Sequence, residues 1–195
     1  LIGLVGSEMC IRDRLDMSEL QTVSRDETIA VDALVDEVLV DLEPLAQEKE
    51  IKLIGNCKDT TMVGSDILIY RMVYNLVENA IKYNHFGGQV TVTAYRKGKN
   101  ICLSVEDTGS GIPAELKERI FEPFFRVDKS RSRQLGGVGL GLALVREIVR
   151  VHDGRITVQS SPSGGTIFEV VFTQLSLIHI SEPTNSTSSR MPSSA

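Results

Sequence analysis

The sequence predicts an α+β fold, on three observations. Apolar residues recur at helical spacing through Val31, Leu34, Val35, Val38, Leu39, Leu42 and Leu45, and again from Ile67 through Leu68, Met72, Leu76 and Ala80. Gln89 to Arg96 and Ile101 to Glu106 alternate apolar and polar residues around Lys97-Gly98-Lys99-Asn100, the pattern of a β-hairpin. Leu142 to His152 reads as a helix, and Arg155 to Gln159 and Thr166 to Phe172 as strands, separated by Asp153-Gly154 and Gly164-Gly165.

Composition narrows the possibilities before any motif is considered. With 195 residues, 42% hydrophobic and 24% charged, the chain can bury a core. A net charge of -5 and a pI near 5.3 give no basic field for nucleic acid. No apolar run reaches the roughly 18 residues that a membrane-spanning helix needs. Cys10, Cys57 and Cys102 have neither metal-ligand spacing nor even pairing, which suits inert thiols in a reducing compartment.

The two ends read as translated DNA adapter. Val5 to Arg14 back-translates as GTG GGC TCG GAG ATG TGT ATA AGA GAC AGN. The reverse complement, shifted by one base, reads CTG TCT CTT ATA CAC ATC TCC GAG CCC ACN and encodes Leu175 to Thr184. The termini are thus one inverted repeat, similar to the adapter that transposase-based sequencing libraries add to both fragment ends. We expect residues 1–14 and 175–195 to lie outside the fold, the second as a Ser-, Thr- and Pro-rich disordered tail. The natural segment then begins at Leu15, where Leu15 to Leu20 reads as the end of a longer helix.

Taken in order, the remaining elements are short. Val31 to Glu50 is a helix that packs on a sheet, with Pro44 kinking or ending it. Ile51 to Ile54 and Thr60 to Val63 read as strands, and Gly64-Ser65 is a turn that offers Ser65 or Asp66 as the N-cap of the next helix. That helix has a second face, on which Asn75, Asn79, Lys82 and Tyr83 fall on neighbouring turns. Amide oxygens one turn apart, followed by an ammonium group, suit a divalent cation bound to phosphate.

Three further stretches point to a nucleotide. Asp107-Thr108-Gly109-Ser110-Gly111-Ile112-Pro113 follows a strand, where a carboxylate can accept a hydrogen bond from an exocyclic amine and glycines let the backbone approach a flat ring. Pro113 to Ile120 is expected as a short helix, and Phe121-Glu122-Pro123-Phe124-Phe125-Arg126 as an aromatic anchor for a lid loop over Val127 to Leu135. Gly136-Gly137-Val138-Gly139-Leu140-Gly141 feeds the next helix, whose unpaired amides suit phosphate. The glycine run lacks the Gly-Lys-Ser/Thr of a Walker loop.

In order and spacing, Asn75 to Tyr83, Asp107 to Pro113, Phe121 to Arg126, Gly137 to Gly141 and Gly164-Gly165-Thr166 resemble the N box, first glycine box, F box and later glycine boxes of sensor histidine kinases. The resemblance covers about residues 29–174 and implies an ATP-binding catalytic domain, a two-layer α/β sandwich with a mixed sheet covered on one face by helices. Residues 15–28 resemble the end of a dimerisation and phosphoacceptor helix with its linker. The implied partners are ATP, the chain's own dimerisation domain and a response regulator, with the parent a homodimer. The implied location is cytoplasmic, with the inner membrane as a candidate anchor for the parent.

Carried over by residue, the resemblance assigns Asn79 to magnesium with Asn75 beside it, Lys82 and Arg126 to phosphate, and Tyr83 to the nucleotide's flank. Asp107 would bind the adenine amine, Gly109, Gly111 and Ile112 would shape its pocket, and Thr166 would join them. Gly137, Gly139, Leu140 and Gly141 would close over the triphosphate. The implied reaction is transfer of the γ-phosphoryl group from ATP to a histidine outside this chain, with catalysis resting on Asn79, Lys82 and Arg126. Val138 stands where such kinases usually have Thr or Ser, a lost hydroxyl contact worth about 1 kcal/mol. A related ATPase would carry Glu in place of Asn75 to activate water, which favours transfer over hydrolysis; Glu78 is a second candidate base. None of His85, His152 and His179 sits in a His-Glu/Asp-x-x-x-Pro setting.

Overall fold

A computed structural model of the chain describes residue 20, residues 22–127 and residues 139–174. The expectations for both termini, for Gly137 and Val138, and for the lid beyond Val127 fall outside the described residues. Among the described residues, seven strands and three α-helices follow one another as β1 (Glu27–Ala30), α1 (Val31–Gln47), β2 (Lys52–Cys57), β3 (Thr61–Gly64), α2 (Asp66–Lys82), β4 (Gln89–Lys97), β5 (Asn100–Asp107), α3 (Gly141–Val151), β6 (Gly154–Ser160) and β7 (Thr166–Thr173). The main sheet has the order β2-β4-β5-β7-β6, and β1 and β3 form a separate antiparallel pair. Among the described residues only β2 and β4 run parallel; the other neighbours in the main sheet are antiparallel, so the sheet is mixed as expected.

Helical periodicity accounts for the core. α1 buries Val31, Leu34, Val35, Val38, Leu42 and Ala46, and α2 buries Leu68, Ile69, Met72, Val73, Leu76, Val77, Ala80 and Ile81. Opposite them, β4 turns in Val90, Val92 and Ala94, and β7 turns in Phe168, Val170 and Phe172, the period of two that covers one face of a sheet. Each fully buried Leu, Ile or Phe of this kind contributes about 1.5–3 kcal/mol over an exposed one.

Two local expectations are revised, and a third, Ser65 as N-cap, holds in position but without a side-chain bond. Pro44 lies inside α1, which runs on to Gln47, so the proline precedes the end of the helix by one turn. Pro113 to Ile120 is not one helix; it forms two 3-10 turns, Ala114–Leu116 and Arg119–Phe121. Eight residues are too few to repay helix nucleation, and burial of Ile120 and Phe121 dictates the second turn. The N-cap Ser65 makes no side-chain cap. Its own N–H donates to His152 Nε2 at 3.0 Å, and the Asp66 N–H donates to Glu27 Oε2 at 2.8 Å.

Topology then determines what meets at one end of the sheet. β2 and β4 are parallel and α2 lies between them in sequence, so α2 runs back against β4 and its C-terminal turn arrives near Gln89. β5 is antiparallel to β4 with Asp107 opposite Val90, and β7 is antiparallel to β5 with Ile167 opposite Glu106. The end of α2, the end of β5 and the start of β7 are therefore gathered together. α3 packs antiparallel on α2: Gly141 at its start lies against Asn75, and His152 at its end bonds Ser65. His152 Nδ1 bonds the Ile148 carbonyl at 2.8 Å while Nε2 accepts from Ser65, which identifies a neutral ring with its proton on Nδ1. Burial accordingly holds its pKa below the usual histidine value.

Candidate nucleotide-binding cleft

A cleft of about 330 Å³ opens at that end of the sheet. Asn79 and Tyr83 enter it from the last turn of α2, and Asp107, Gly111 and Ile112 from the end of β5 and the loop beyond. Thr166 contributes from the start of β7 and Arg126 from the segment after the second 3-10 turn. Asn75, Lys82, Gly109, Gly139, Leu140 and Gly141 stand around the cleft without lining it. Sequence reasoning did not assign Ala80, Ile120, Leu142 or Phe168 to the site, and they also line it and make much of its wall apolar. Their only sequence signal was apolar periodicity, which also describes core.

Asp107 is the best-defined group in the cleft. It is 7% exposed, and its Oδ1 accepts from the Gly109 N–H at 2.7 Å and the Thr166 N–H at 3.2 Å. Neither of these N–H bonds engages Oδ2, and the Thr166 hydroxyl also hydrogen-bonds the carboxylate. Burial raises the carboxyl pKa above its ordinary value, and the two N–H bonds and the Thr166 hydroxyl oppose that shift. Close backbone approach explains the neighbouring glycine. A Cβ on Gly109 would stand 2.6 Å from the Tyr83 carbonyl oxygen.

Beneath Asp107 lies a buried polar junction that the sequence did not reveal. Asn84 Nδ2 donates to the Gln89 carbonyl at 3.0 Å, and its Oδ1 accepts from the Thr108 hydroxyl at 3.2 Å. Thr108 Oγ1 in turn accepts from the Gln89 N–H at 2.9 Å. The junction ties the residue after α2's C-cap to the first residue of β4 and to the residue just after β5. A polar residue just after a helix carries no sequence signal of such a role.

On α2, the two asparagines differ. Asn79 lines the cleft. Asn75 donates from Nδ2 to the Arg71 carbonyl at 2.7 Å, and its Oδ1 would be 2.8 Å from a Cβ on Gly141. Lys82 Nζ is paired with Glu78 Oε1 at 2.9 Å. The phenylalanine knot divides its tasks: Phe121 is buried and stacks edge-on to Phe168 at 6.3 Å, Phe125 lines the cleft under the Arg119 guanidinium at 4.4 Å, and Phe124 is 68% exposed. The Phe124 N–H donates to the Gly139 carbonyl at 2.9 Å, so the F-box segment is fastened to the residues leading into α3.

Residues 64–176 match the family model of histidine kinase-, DNA gyrase B-, and HSP90-like ATPases. The chain belongs to this family. Within it, the sensor-like histidine kinase SenX3 of Mycobacterium tuberculosis is 37% identical over 169 residues, which cover 85% of this chain and 41% of SenX3. The chain thus spans less than half of that relative. Among solved structures of the histidine kinase members, the catalytic domain of ThkA superposes with a TM-score of 0.70 at 27% identity, covering 77% of this chain and 97% of that one. Another structure shows ThkA in complex with the response regulator protein TrrA. Full-length ShkA, solved in complex with AMPPNP, gives a TM-score of 0.68 at 25% identity over 82% of this chain and 34% of ShkA. This is the ATP-binding catalytic domain of the histidine kinase branch of the ATPase family, with the mixed-sheet α+β fold of that branch.

Proposed function

We propose that the cleft holds magnesium-bound ATP and presents its γ-phosphoryl group to a histidine on a separate dimerisation and phosphoacceptor hairpin. The reading is carried by Asp107, a buried carboxylate whose Oδ1 is fixed by two backbone N–H groups, in the same cleft as the Asn79 amide. Asp107 would accept the adenine amine, with Gly109, Gly111 and Ile112 shaping the wall, Thr166 beside it and Tyr83 at its flank. Lys82, leaving Glu78, and Arg126 would meet phosphate oxygens. Gly137, Gly139, Leu140 and Gly141 would bring backbone N–H groups over the triphosphate at the start of α3.

The residues fit a magnesium ion that arrives with the nucleotide. Among the described residues no group of three His, Cys, Asp or Glu side chains could hold a metal by itself. Asn79, with Asn75 next to it, supplies neutral oxygens, and a hard cation of this kind completes its shell with phosphate oxygens and water. When bound, magnesium would offset charge on the transferring phosphate. Asn75 has no basicity with which to activate water, and its amide is already bonded to the helix backbone, which supports transfer over hydrolysis.

The acceptor hairpin, a response regulator as the next acceptor and a homodimeric parent are parts of the same proposal, supported by the ThkA–TrrA complex and by the short span of SenX3 that the chain covers. So is the reading of residues 15–28 as the hairpin's end and of both extreme termini as adapter. No helix among the described residues is long and apolar enough to cross a membrane. We place the domain in the cytoplasm, with any inner-membrane anchor elsewhere in the parent.

Calorimetric titration of the chain with ATP tests the site. Asn79→Ala should weaken binding by about tenfold or more in the presence of magnesium, and by much less when the metal is chelated. Equal isotherms for both proteins in magnesium would remove Asn79 from the site. Transfer is tested with labelled ATP and a dimerisation hairpin from a closely matched kinase: acid-labile, alkali-stable phosphate should appear on the hairpin and not on this chain. His85 and His152 do not line the cleft, and both nitrogens of His152 are already bonded. Stoichiometric label on either would contradict the assignment.

A further inference from the structure

The cleft is bordered by the end of α2 that least suits an anion. Asn79, Ala80 and Tyr83 belong to its C-terminal turn, where unpaired carbonyls carry a partial charge of about −0.5. Two cations stand at that end. Lys82 is on the helix itself, with its Nζ against Glu78. Lys49 comes from the turn after α1, and its Nζ donates to the Ile81 carbonyl at 3.2 Å and the Lys82 carbonyl at 2.5 Å.

The placement of Lys49 is well anchored. The Gly87 N–H donates to the Lys49 carbonyl at 2.9 Å, and the Lys52 N–H donates to the Gly88 carbonyl at 2.9 Å, so the corner between α1 and β2 is fastened to the connection between α2 and β4. Among the described residues, Lys49 forms no ion pair with an acidic side chain. Its ammonium group is partly desolvated, which lowers its pKa and strengthens its field on nearby groups.

The geometry points to Lys49 as a positioning residue for the triphosphate: by capping Ile81 and Lys82 it cancels the negative end of α2 and allows that end to face an anion. This rests on the nucleotide reading above. Capping by Lys49 also relieves Lys82 of that task, so the Lys82 ammonium can leave Glu78 for a phosphate oxygen. A lysine that merely held the helix end in place would matter equally to every ligand of the cleft. One that balances charge matters to ATP and hardly to adenosine.

Titrations of the full chain with ATP and with adenosine separate the two. Lys49→Gln keeps an N–H donor for the carbonyls and removes the charge. It should weaken ATP binding about two- to fivefold, the usual range for a cation at a helix C-terminus, and leave adenosine binding unchanged. The ATP deficit should narrow as salt is raised. Equal losses for ATP and adenosine, or no loss for either, would overturn the proposal. If thermal melting shows Lys49→Gln unfolded at the assay temperature, Lys49→Arg decides, since it keeps the charge: ATP and adenosine affinities within about twofold of the unmodified chain support the proposal, and a selective drop in ATP overturns it. Failure of the unmodified chain to bind ATP would overturn the nucleotide reading together with the proposal, whereas the variant outcomes leave that reading standing.

Discussion

Asp107→Asn is expected to fold at least as well as the parent chain and to bind ATP about thirty- to a thousandfold more weakly, a loss of about 2–4 kcal/mol. The two effects have one origin. An asparagine can offer its Oδ1 to the Gly109 and Thr166 N–H groups, as Asp107 does now. The atom turned toward the ligand is then an NH₂ group, which meets the adenine amine donor to donor and leaves both without an acceptor. Stability runs the other way. Burial raises the Asp107 pKa in the folded chain above its ordinary 3.8. Such a group contributes stability only in its protonated form, below about pH 4, and that contribution is lost as pH rises through the folded pKa. At neutral pH the ionised carboxylate therefore works against the fold, and the amide does not. Thermal melts of the variant at pH 7 should match or exceed those of the parent, with the difference shrinking toward about pH 4. A variant that melts lower and binds ATP normally would place Asp107 in a structural role alone.

Gly165→Val should lower stability by about 3 kcal/mol or more and abolish ATP binding. A Cβ at Gly165 would stand 2.0 Å from the Asp107 carbonyl oxygen and 2.7 Å from its Oδ1. Those are contacts with backbone and with a fixed carboxylate, so no rotamer change relieves them, and the start of β7 must move away from the end of β5. Overpacking of this kind costs about 1–3 kcal/mol in ordinary cores, and contact with immovable backbone puts this site at the upper end. For a domain of this size the melting temperature would fall by about 10 °C. Displacing β7 also removes the Thr166 N–H from Asp107. Gly164 offers the control, because its φ of 94° requires glycine for conformation while a Cβ there meets nothing within 4 Å. Gly164→Asn should be the milder change, by about 1 kcal/mol, since Asn tolerates positive φ. Denaturant titration and calorimetry of the pair decide the matter. Comparable losses at both positions would mean that turn conformation is the controlling factor and close packing is not.

The parts of the molecule legible in its sequence are those with a local period. α1, α2, α3 and the β4–β5 hairpin were evident because their buried residues recur at 3.6 or 2, and the Asn, Asp and Gly patterns marked the cleft because chemistry and turn geometry restrict residue choice there. β1 was not evident. Its four residues, Glu27–Ala30, become a strand only through pairing with β3, more than thirty positions away. The same limit hid Asn84, Lys49 and His152, whose roles depend on partners brought close by the sheet order. A helix expected at Pro113 to Ile120 had good helix formers but too little length, and burial of Ile120 and Phe121 overruled propensity. In the phenylalanine knot, composition announced packing but could not apportion core, cleft wall and surface among Phe121, Phe125 and Phe124.

The β4–β5 hairpin also gives the molecule a handle. Its register puts Val90 opposite Asp107 at one end and Lys97 opposite Asn100 at the other, seven residues on, or about 23 Å along the strand. Lys97 and Lys99 at the tip are exposed, and a Cβ at Gly98 between them would meet nothing within 4 Å. A fluorophore or an affinity tag spliced at this tip would hang from the far rim of the sheet. The domain could then be tethered to a surface with its cleft facing the solution, and nucleotide or a partner protein could be washed over it without the linker crossing their path.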